Sequence, residues 1–286
     1  MTQVSRAMNN HSDVSEATKE SVPAAARERG YVANQTARSP VTGRSGLVSL
    51  IRPGGLAGPA DVANLEIVSG LSKEFFQRDM QFVLHMMPPG EDVLPIYRKA
   101  AASGSFDGFV ITDITPDDPR VALLEDMGVP FVVHGRVSTH ARHPYFDIDN
   151  FGVARQQVKH LAELGHQRIA MLNGPSRNAF SQYRLQGYIA ALGEAGLTYD
   201  PSLVVSGLMT EGNGMVLTAR LFENRPDRPT ALICGNILLA KGAYAAFQAM
   251  EMRIPDDVSV VAHDDVINDI RGSAFYPSLT VTKSPF

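Results

Sequence analysis

Residues 147–175, "DIDNFGVARQQVKHLAELGHQRIAMLNGP", carry the pattern that decides the fold. The first part, about 151–165, has the spacing of apolar and polar side chains that is typical of an amphipathic helix, and Gly165 stands where helices often end on a left-handed glycine. The apolar run "RIAMLN" follows at 168–173. Because this run is continuous rather than alternating, it predicts a parallel strand that is covered on both faces.

The same pair of helix and strand is repeated along the chain. Further apolar runs lie at 46–51, 81–86, 107–112, 130–135, 202–207, 230–235 and 258–263, and helical stretches lie at about 61–79, 91–104, 117–127, 181–196, 212–224 and 237–252. This alternation predicts right-handed βαβ units, so we expect an α/β fold with two doubly wound lobes. Ligands bind beyond the carboxyl ends of parallel strands, which predicts a ligand cleft between the lobes.

Composition bounds the class of protein. The chain has 286 residues, of which 44% are apolar, and this is enough for a substantial core and suits two domains. Its net charge is −4, with +2 on residues 1–45 and −6 on the remainder, which fits a basic arm that contacts phosphate. The N-terminus is polar and no stretch is long and apolar enough to span a bilayer, so we expect a cytoplasmic protein that contacts no membrane.

No pattern in the sequence indicates a metal, a cofactor or an enzyme. Cys234 is the only cysteine, which excludes a disulfide framework and a thiolate metal cluster. His140 and His143 have loose metal spacing, but no carboxylate or thiol partner is evident, so we predict no metal site. The triplet "HDD" at 263–265 is not accompanied by a nucleophile motif, a Walker loop or a dinucleotide-binding glycine motif.

The N-terminal arm contains a second helical pattern. Asp13 and Ser15 can each cap a helix start, and "EATKESVPAAARERG" at 16–30 is typical of a helix that ends at Gly30. Pro23 lies inside this pattern, where it lacks an N–H and collides with the preceding turn, at a cost of about 3 kcal/mol. We therefore expect the helix to break at Pro23. Residues 31–45 form a polar linker.

Several motifs in one order resemble the lactose-repressor (LacI/GalR) family of bacterial regulators. The stretch "VSRAMNNHSDVSEATKESVPAAARERGYVANQTARS" at 4–39 resembles the family's DNA-binding headpiece, and "FDGFVIT" at 106–112, "YRLQGYIAALGEAGL" at 183–197 and "PSLTVTKSPF" at 277–286 resemble its regulatory domain. The likeness runs over about 280 residues. It implies a partial helix-turn-helix headpiece and hinge at 1–45, followed by two periplasmic-binding-protein-like lobes at 46–148 and 149–286.

The resemblance places DNA-reading residues on the arm. Val4, Ser5 and Arg6 fall on the family's recognition helix, and a second group falls on the hinge helix that enters the minor groove: Asn34, Ala37 and Arg38. An arginine at such a hinge is physically sensible, because a narrow minor groove concentrates negative potential. From the residues alone, a charged linker that touches nothing remains an open alternative.

Three departures from the family pattern concern this arm. The family's first helix and turn, about 20 residues, have no counterpart here, and such a recognition helix has lost its support. Pro23 interrupts the third helix, and Pro40 replaces the leucine that the family inserts between base steps. At the other end, the family's last pass between the lobes would begin near Phe286. We therefore expect the chain as written, short at both ends, to bind operator DNA weakly or not at all.

The resemblance also identifies effector contacts in the cleft: Arg184, Asn236, Asp264, Phe180, Arg136 and Thr112. Planar polar groups suit pairs of sugar hydroxyls, and an aromatic face suits the ring. Other roles stay open from the sequence alone. An arginine in a helix can be simply exposed, Asn and Asp often cap helices or form turns, and Phe180 can be a packing residue.

The function that these observations favour is a transcriptional regulator, acting as a repressor of sugar-metabolism genes. We expect a small sugar-like effector between the lobes, operator DNA as a partner and a homodimer as the working form. Because the cleft positions hold no cluster of Lys and Arg, a neutral sugar is expected. The alternative is a cytoplasmic sugar-binding protein whose degenerate headpiece no longer binds DNA.

Overall fold

The computed structural model describes residues 3–8, 12–29, 44–53, 62–88, 90–136, 142–223, 226–265 and 270–283. Two compact units divide the chain, Met1–Gly46 and Leu47–Phe286. Seven residues named above lie outside the described residues: Gly30, Asn34, Ala37, Arg38, Pro40, His140 and Phe286. In the part of the chain that is described, no helix is both long and apolar enough to cross a membrane.

The first unit contains two helices that contact each other, α1 (Gln3–Met8) and α2 (Glu16–Glu28). Ser15 begins α2, because the Thr18 N–H donates to both its hydroxyl and its carbonyl oxygen. Alanines from both helices are buried, whereas the side chains of Val4 and Arg6 on α1 are exposed. The exposed face of α1 is therefore available to a partner.

The expected break at Pro23 is wrong, since α2 continues through it to Glu28. A proline deletes one intrahelical hydrogen bond and leaves the others in place. Three alanines follow it directly, and alanine has the strongest helix propensity. The last turn is also closed, with the Arg29 N–H donating to the Ala25 carbonyl at 3.1 Å. Together these local preferences outweigh the single defect.

The second unit begins with an N-terminal lobe built on five parallel strands in the order β2-β1-β3-β4-β5. The strands are β1 (Leu47–Pro53), β2 (Gln81–Met87), β3 (Gly108–Ile111), β4 (Phe131–His134) and β5 (Tyr145–Phe146). Its helices are α3 (Val62–Gln77), α4 (Leu94–Ala102) and α5 (Pro119–Asp126). Helix α3 covers one face of the sheet, and α4 and α5 cover the other.

The C-terminal lobe holds a second parallel sheet, in the order β10-β9-β8-β6-β7. Its strands are β6 (Ile169–Asn173), β7 (Val204–Ser206), β8 (Ala231–Cys234), β9 (Ser259–Asp264) and β10 (Thr280–Lys283). Its helices are α6 (Asn150–Glu163), α7 (Ala179–Glu194), α8 (Glu211–Phe222) and α9 (Ile237–Ala249). The predicted α/β fold with two doubly wound lobes is confirmed.

Side-chain alternation along the strands divides the C-terminal core in two. Val261 of β9 packs on the side of α6 and α7. Its neighbours Val260 and Ala262 pack on the side of α8 and α9, together with Cys234 at the end of β8. Since both sides are apolar, the strands appear in the sequence as continuous apolar runs. Beyond the last apolar residue, the same alternation decides which helix each polar side chain faces.

The start of helix α8 depends on a threonine cap. The Thr210 hydroxyl accepts a hydrogen bond from the Asn213 N–H at 3.1 Å. We expect Thr210→Ala to lower the free energy of unfolding by about 1 kcal/mol, because one helix N–H loses its acceptor. Urea denaturation measures this change, and Thr210→Ser is the control that keeps the oxygen. Equal stability of the two variants would mean that packing alone holds this helix start.

Candidate functional site

Arg184 on α7 lies at the carboxyl edge of the C-terminal sheet. It is 4% exposed, and its Nε donates to Oδ1 of Asn150 at 2.9 Å. Nη1 donates to the backbone carbonyl of Gly235, which follows strand β8. Among the described residues, none accepts a hydrogen bond from Nη2. The guanidinium is thus held rigidly by two bonds and retains donor capacity for a ligand.

An aromatic ring covers the same guanidinium. The central carbon of Arg184 lies 5.3 Å from the ring centroid of Phe180, one turn earlier on α7. A cation over an aromatic face at this distance is attracted by the ring quadrupole. Glycine at 174 makes room for the ring, since a Cβ on Gly174 would collide with Phe180. The structure therefore brings together two predicted effector residues.

Asn236 follows strand β8 and caps helix α9. Its Oδ1 accepts from the Leu239 N–H at 2.9 Å, and its Nδ2 donates to the Met209 carbonyl at 3.4 Å. The capping role that the sequence left open is therefore present. Because Asn236 adjoins Gly235, whose carbonyl binds Arg184, it belongs to the same edge of the sheet. Its contact with an effector remains a prediction.

At the end of β9, two carboxylates follow one another. Asp264 ends the strand. By strand alternation, its side chain lies on the same face of the sheet as Val260 and Ala262, which face α8 and α9. The side chain of Asp265 lies on the other face, with Val261 and His263, and its Oδ1 lies 3.6 Å from Nε2 of His263. The resemblance indicated Asp264 as an effector contact, which stays a prediction, and did not indicate Asp265. Side chains alternate between the two faces of the sheet along β9. Continuing that alternation through "HDD" at 263–265 would have indicated Asp265.

Asp265 is electrostatically coupled to the arginine. Burial raises the pKa of Asp265 to about 6, against the opposing effects of the Arg184 charge and of a hydrogen bond from Asn236. Burial, together with the positive charge of Arg184, lowers the pKa of His263 to about 3. His263 is therefore neutral at neutral pH, whereas Asp265 is mostly ionised.

The crossover between the lobes reaches the same arginine. Asn150, which binds Arg184, also donates from Nδ2 to Oδ1 of Asp147 at 3.0 Å. Arg136, from the end of β4, lies 3.6 Å from Oδ2 of Asp147 and stacks over the Tyr183 ring at 5.0 Å. Burial raises the pKa of Asp147, and Arg136 opposes that rise. Arg136 thus contacts the C-terminal lobe directly.

Thr112 stands apart from this cluster, after strand β3. It is buried, and its carbonyl accepts from Nη2 of Arg120 at 3.1 Å. Arg120 is in turn paired with the buried carboxylate of Asp118 at 2.7 Å. Within the described residues, no contact joins Thr112 to Arg184. The loop that follows nevertheless meets α7, since the Ala179 N–H donates to the Ile114 carbonyl at 3.0 Å.

Positive and negative charges are matched along these strand ends. Each arginine faces a carboxylate: Arg52 with Asp113 at 3.0 Å, Arg120 with Asp118 at 2.7 Å, Arg136 with Asp147 at 3.6 Å and Arg184 with Asp265 through its charge. An anionic ligand would therefore have to displace an existing partner. The arrangement suits an uncharged polar ligand better.

The described residues contain no group of three or more His, Cys, Asp or Glu side chains that could hold a metal ion. His143, one of the two histidines with loose metal spacing, lies instead 3.4 Å from Oε1 of Glu125. The site is therefore built from guanidinium, amide, carboxylate and aromatic groups. Such groups bind and orient polar ligands.

Two family models match this sequence. The model described as "Periplasmic binding proteins and sugar binding domain of LacI family" matches residues 63–285, and the model described as "Bacterial regulatory proteins, lacI family" matches residues 1–34. Together they cover both structural units. The first match alone spans well over half of the chain.

Named relatives are similar over most of their length. The HTH-type transcriptional regulator AglR of Rhizobium meliloti (strain 1021) is 38% identical over 284 residues, which are 99% of this chain and 79% of that protein. The HTH-type transcriptional regulator CelR of Thermobifida fusca is 36% identical over 267 residues, which are 92% of this chain and 77% of that protein.

Solved structures have the same fold. The transcriptional regulator CelR–cellobiose complex superposes with a TM-score of 0.70 at 32% identity, covering 98% of this chain and 83% of that one. The Lac repressor dimer bound to operator and the anti-inducer ONPF superposes with a TM-score of 0.81 at 26% identity, covering 98% and 82%. The first structure contains cellobiose, and the second contains operator DNA and the anti-inducer ONPF.

Proposed function

This chain belongs to the LacI family of bacterial regulatory proteins, and on that premise we propose that it is a DNA-binding transcriptional repressor of sugar-metabolism genes whose operator affinity is set by a neutral sugar bound beside Arg184. The observation that carries the effector proposal is the buried guanidinium of Arg184, which Asn150 and Gly235 hold and whose Nη2 has no acceptor among the described residues. The alternative, a sugar-binding protein that does not touch DNA, draws no support from the comparisons, since AglR and CelR are both named as regulators.

The chemistry of the site supports a neutral sugar. A planar guanidinium donates to neighbouring hydroxyl groups, and the ring of Phe180 offers an apolar face to a pyranose. The matched charges at the strand ends argue against a phosphorylated or carboxylated ligand. Cellobiose in the complex of the similar regulator CelR is a ligand of this neutral class. Asn236, Asp264 and Arg136 complete the proposed set of contacts.

Contacts between the lobes supply a route from effector to DNA. Arg136 stacks on Tyr183, the residue before Arg184, and Ala179 at the start of α7 bonds to Ile114 of the other lobe. An effector that binds Arg184 more tightly in one arrangement of the lobes shifts the population toward it. In a homodimer, that shift changes the spacing of the two DNA-reading arms. The protein acts in the cytoplasm, where operator DNA is found, and no catalytic step is assigned to it.

The test is fluorescence anisotropy on two duplexes. One is a palindromic duplex that the protein selects from a random-sequence pool, and the other is a random duplex of equal length. Because α2 is unbroken at Pro23 and a family model matches the headpiece at residues 1–34, the earlier expectation of weak DNA binding is replaced by one of tight, palindrome-selective binding with a steep salt dependence. We also expect one of the neutral disaccharides cellobiose, maltose, sucrose or trehalose to shift it. Binding that is weak and equal on both duplexes would contradict the regulatory function for this polypeptide.

Arg6 on α1 gives a sharper prediction. Its guanidinium pairs with Asp13 at 2.8 Å, and both side chains are about half exposed, so the pair can open toward a base edge. We expect Arg6→Ala to weaken binding to the selected duplex about tenfold or more and to reduce discrimination against the random duplex. Arg29→Ala, at the exposed end of α2, is the control. Equal losses on both duplexes would mean that Arg6 contacts only phosphate.

A further inference from the structure

We propose that Asp265 and His263 are positioning residues of the effector site: Asp265 holds Asn236 and balances Arg184, and His263, anchored on Thr282, holds the carboxylate of Asp265. This inference rests on the proposed function, because it concerns the site of the same effector. The family resemblance indicated neither residue.

The placement of the two residues follows from the strand. Val261 of β9 packs against α6 and α7, and side chains two and four residues further share that side of the sheet. These are His263 and Asp265. Arg184 projects from α7 on that side of the sheet, and its charge acts on both of them, whereas the side chain of Asp264 faces the other side. The 3.6 Å separation of His263 Nε2 and Asp265 Oδ1 agrees with this geometry.

Asp265 interacts with the two residues on which effector binding is proposed to depend. It accepts a hydrogen bond from the Asn236 side chain and interacts with the charge of Arg184. Asn236 has its Oδ1 committed to the α9 cap, so its Nδ2 is the group that Asp265 orients. A carboxylate in this position fixes the direction of the amide and reduces the cost of holding a buried guanidinium before a ligand arrives.

His263 is tied to the body of the lobe by a chain of side chains. Its Nδ1 lies 3.1 Å from the Thr282 hydroxyl, and that hydroxyl accepts from Nε2 of Gln157 on α6 at 3.1 Å. These bonds fix the orientation of the imidazole and turn Nε2 toward Asp265, whose Oδ1 lies 3.6 Å away. The imidazole is 1% exposed, so no water replaces this contact freely.

The same cluster makes effector binding depend on pH. The groups that face the Asp265 carboxylate are Arg184 from α7, Asn236 from the α9 cap, and His263 and Asp264 from β9. Protonation of Asp265 weakens the acceptor for Asn236 and leaves Arg184 with less compensation. Effector affinity therefore falls as the pH drops through about 6, the pKa to which burial raises this carboxyl.

A ligand-free experiment tests the placement of Asp265 independently of any effector. Its folded pKa of about 6 lies above the ordinary value of 3.8, so the stability it contributes is present at low pH and is lost as the pH rises through 6. Between about pH 4.5 and pH 7.5, the Tm of Asp265→Asn minus that of the wild type should increase by about 4 °C. A constant difference would overturn the buried placement of Asp265, since burial is the cause of the raised pKa.

Calorimetry with the disaccharide of the panel that binds the wild type tests the positioning role. We expect Asp265→Asn and His263→Phe to raise the Kd about tenfold at pH 7.5, and Asp265→Asn to lose the weakening between about pH 7.5 and pH 5. His263→Gln keeps a donor near Nε2 and should stay within about threefold. Equal losses in the Phe and Gln variants, or an unchanged pH profile in Asp265→Asn, would overturn the inference.

If no sugar of the panel binds the wild type, the proposed effector class fails, and the ligand-free Tm comparison still decides the placement.

Discussion

Arg184→Ala should raise the Kd for the effector at least about 100-fold, the largest functional loss expected from a single substitution in this protein. A charged hydrogen bond contributes about 1.5–3 kcal/mol, and a guanidinium fork supplies two of them to neighbouring hydroxyl groups. The substitution also removes the cation over Phe180. Isothermal titration calorimetry measures the loss with the disaccharide that binds the wild type.

Two further variants make this result specific. Arg184→Lys keeps the charge but not the planar fork, and we expect it to recover less than about tenfold of the lost affinity. Arg155→Ala is the control, since Arg155 is half exposed and pairs with Glu194 between α6 and α7. Its Kd should equal that of the wild type. Unchanged affinity in Arg184→Ala, with a cooperative melting transition, would remove Arg184 from the site.

Gly242→Ala should destabilise the protein by at least about 3 kcal/mol, because helices α8 and α9 approach each other too closely for a side chain. A Cβ on Gly242 would meet the backbone carbonyl oxygen of Glu211 and the backbone nitrogen of Met215. A Cβ on Gly214 of α8 would meet the backbone carbonyl oxygen of Leu239 on α9. Backbone atoms cannot change rotamer to relieve such contacts.

Gly193→Ala is the matched control, also a glycine inside a helix. A Cβ there meets nothing within 4 Å. Alanine has a higher helix propensity than glycine, so this variant should be stabilised by up to about 1 kcal/mol. Guanidinium denaturation of the three proteins measures both changes. Two variants of equal stability would mean that the α8–α9 contact can relax.

The fold followed from the sequence because its main signal is local. Most buried strands are continuous apolar runs that a helix follows, and three of the helix stops, Gly128, Gly165 and Gly196, take positive φ as expected. Strands β5 and β10 lacked that signal, since β5 has two residues and β10 alternates threonine with other side chains. Both pair at sheet edges, where burial is incomplete.

The candidate site was less accessible to sequence reasoning, because it depends on which side of a strand each residue faces. Arg184, Phe180 and Asn236 were found, and the structure brings them together. Asp265 was missed, because the choice between adjacent aspartates depends on the position of α7 across the sheet. The Asp118–Arg120 pair beneath Thr112 was also missed, since two residues after a turn give no sign that they are buried.

Cys234 gives the protein a practical property. It is fully buried behind helix α9, and burial raises the pKa of its thiol, so maleimide reagents and oxidants find no thiolate there. The chain has no other cysteine. A pair of engineered cysteines, one on each lobe, can therefore accept two fluorophores without background labelling. Energy transfer between them would follow the opening and closing of single molecules as sugar is added.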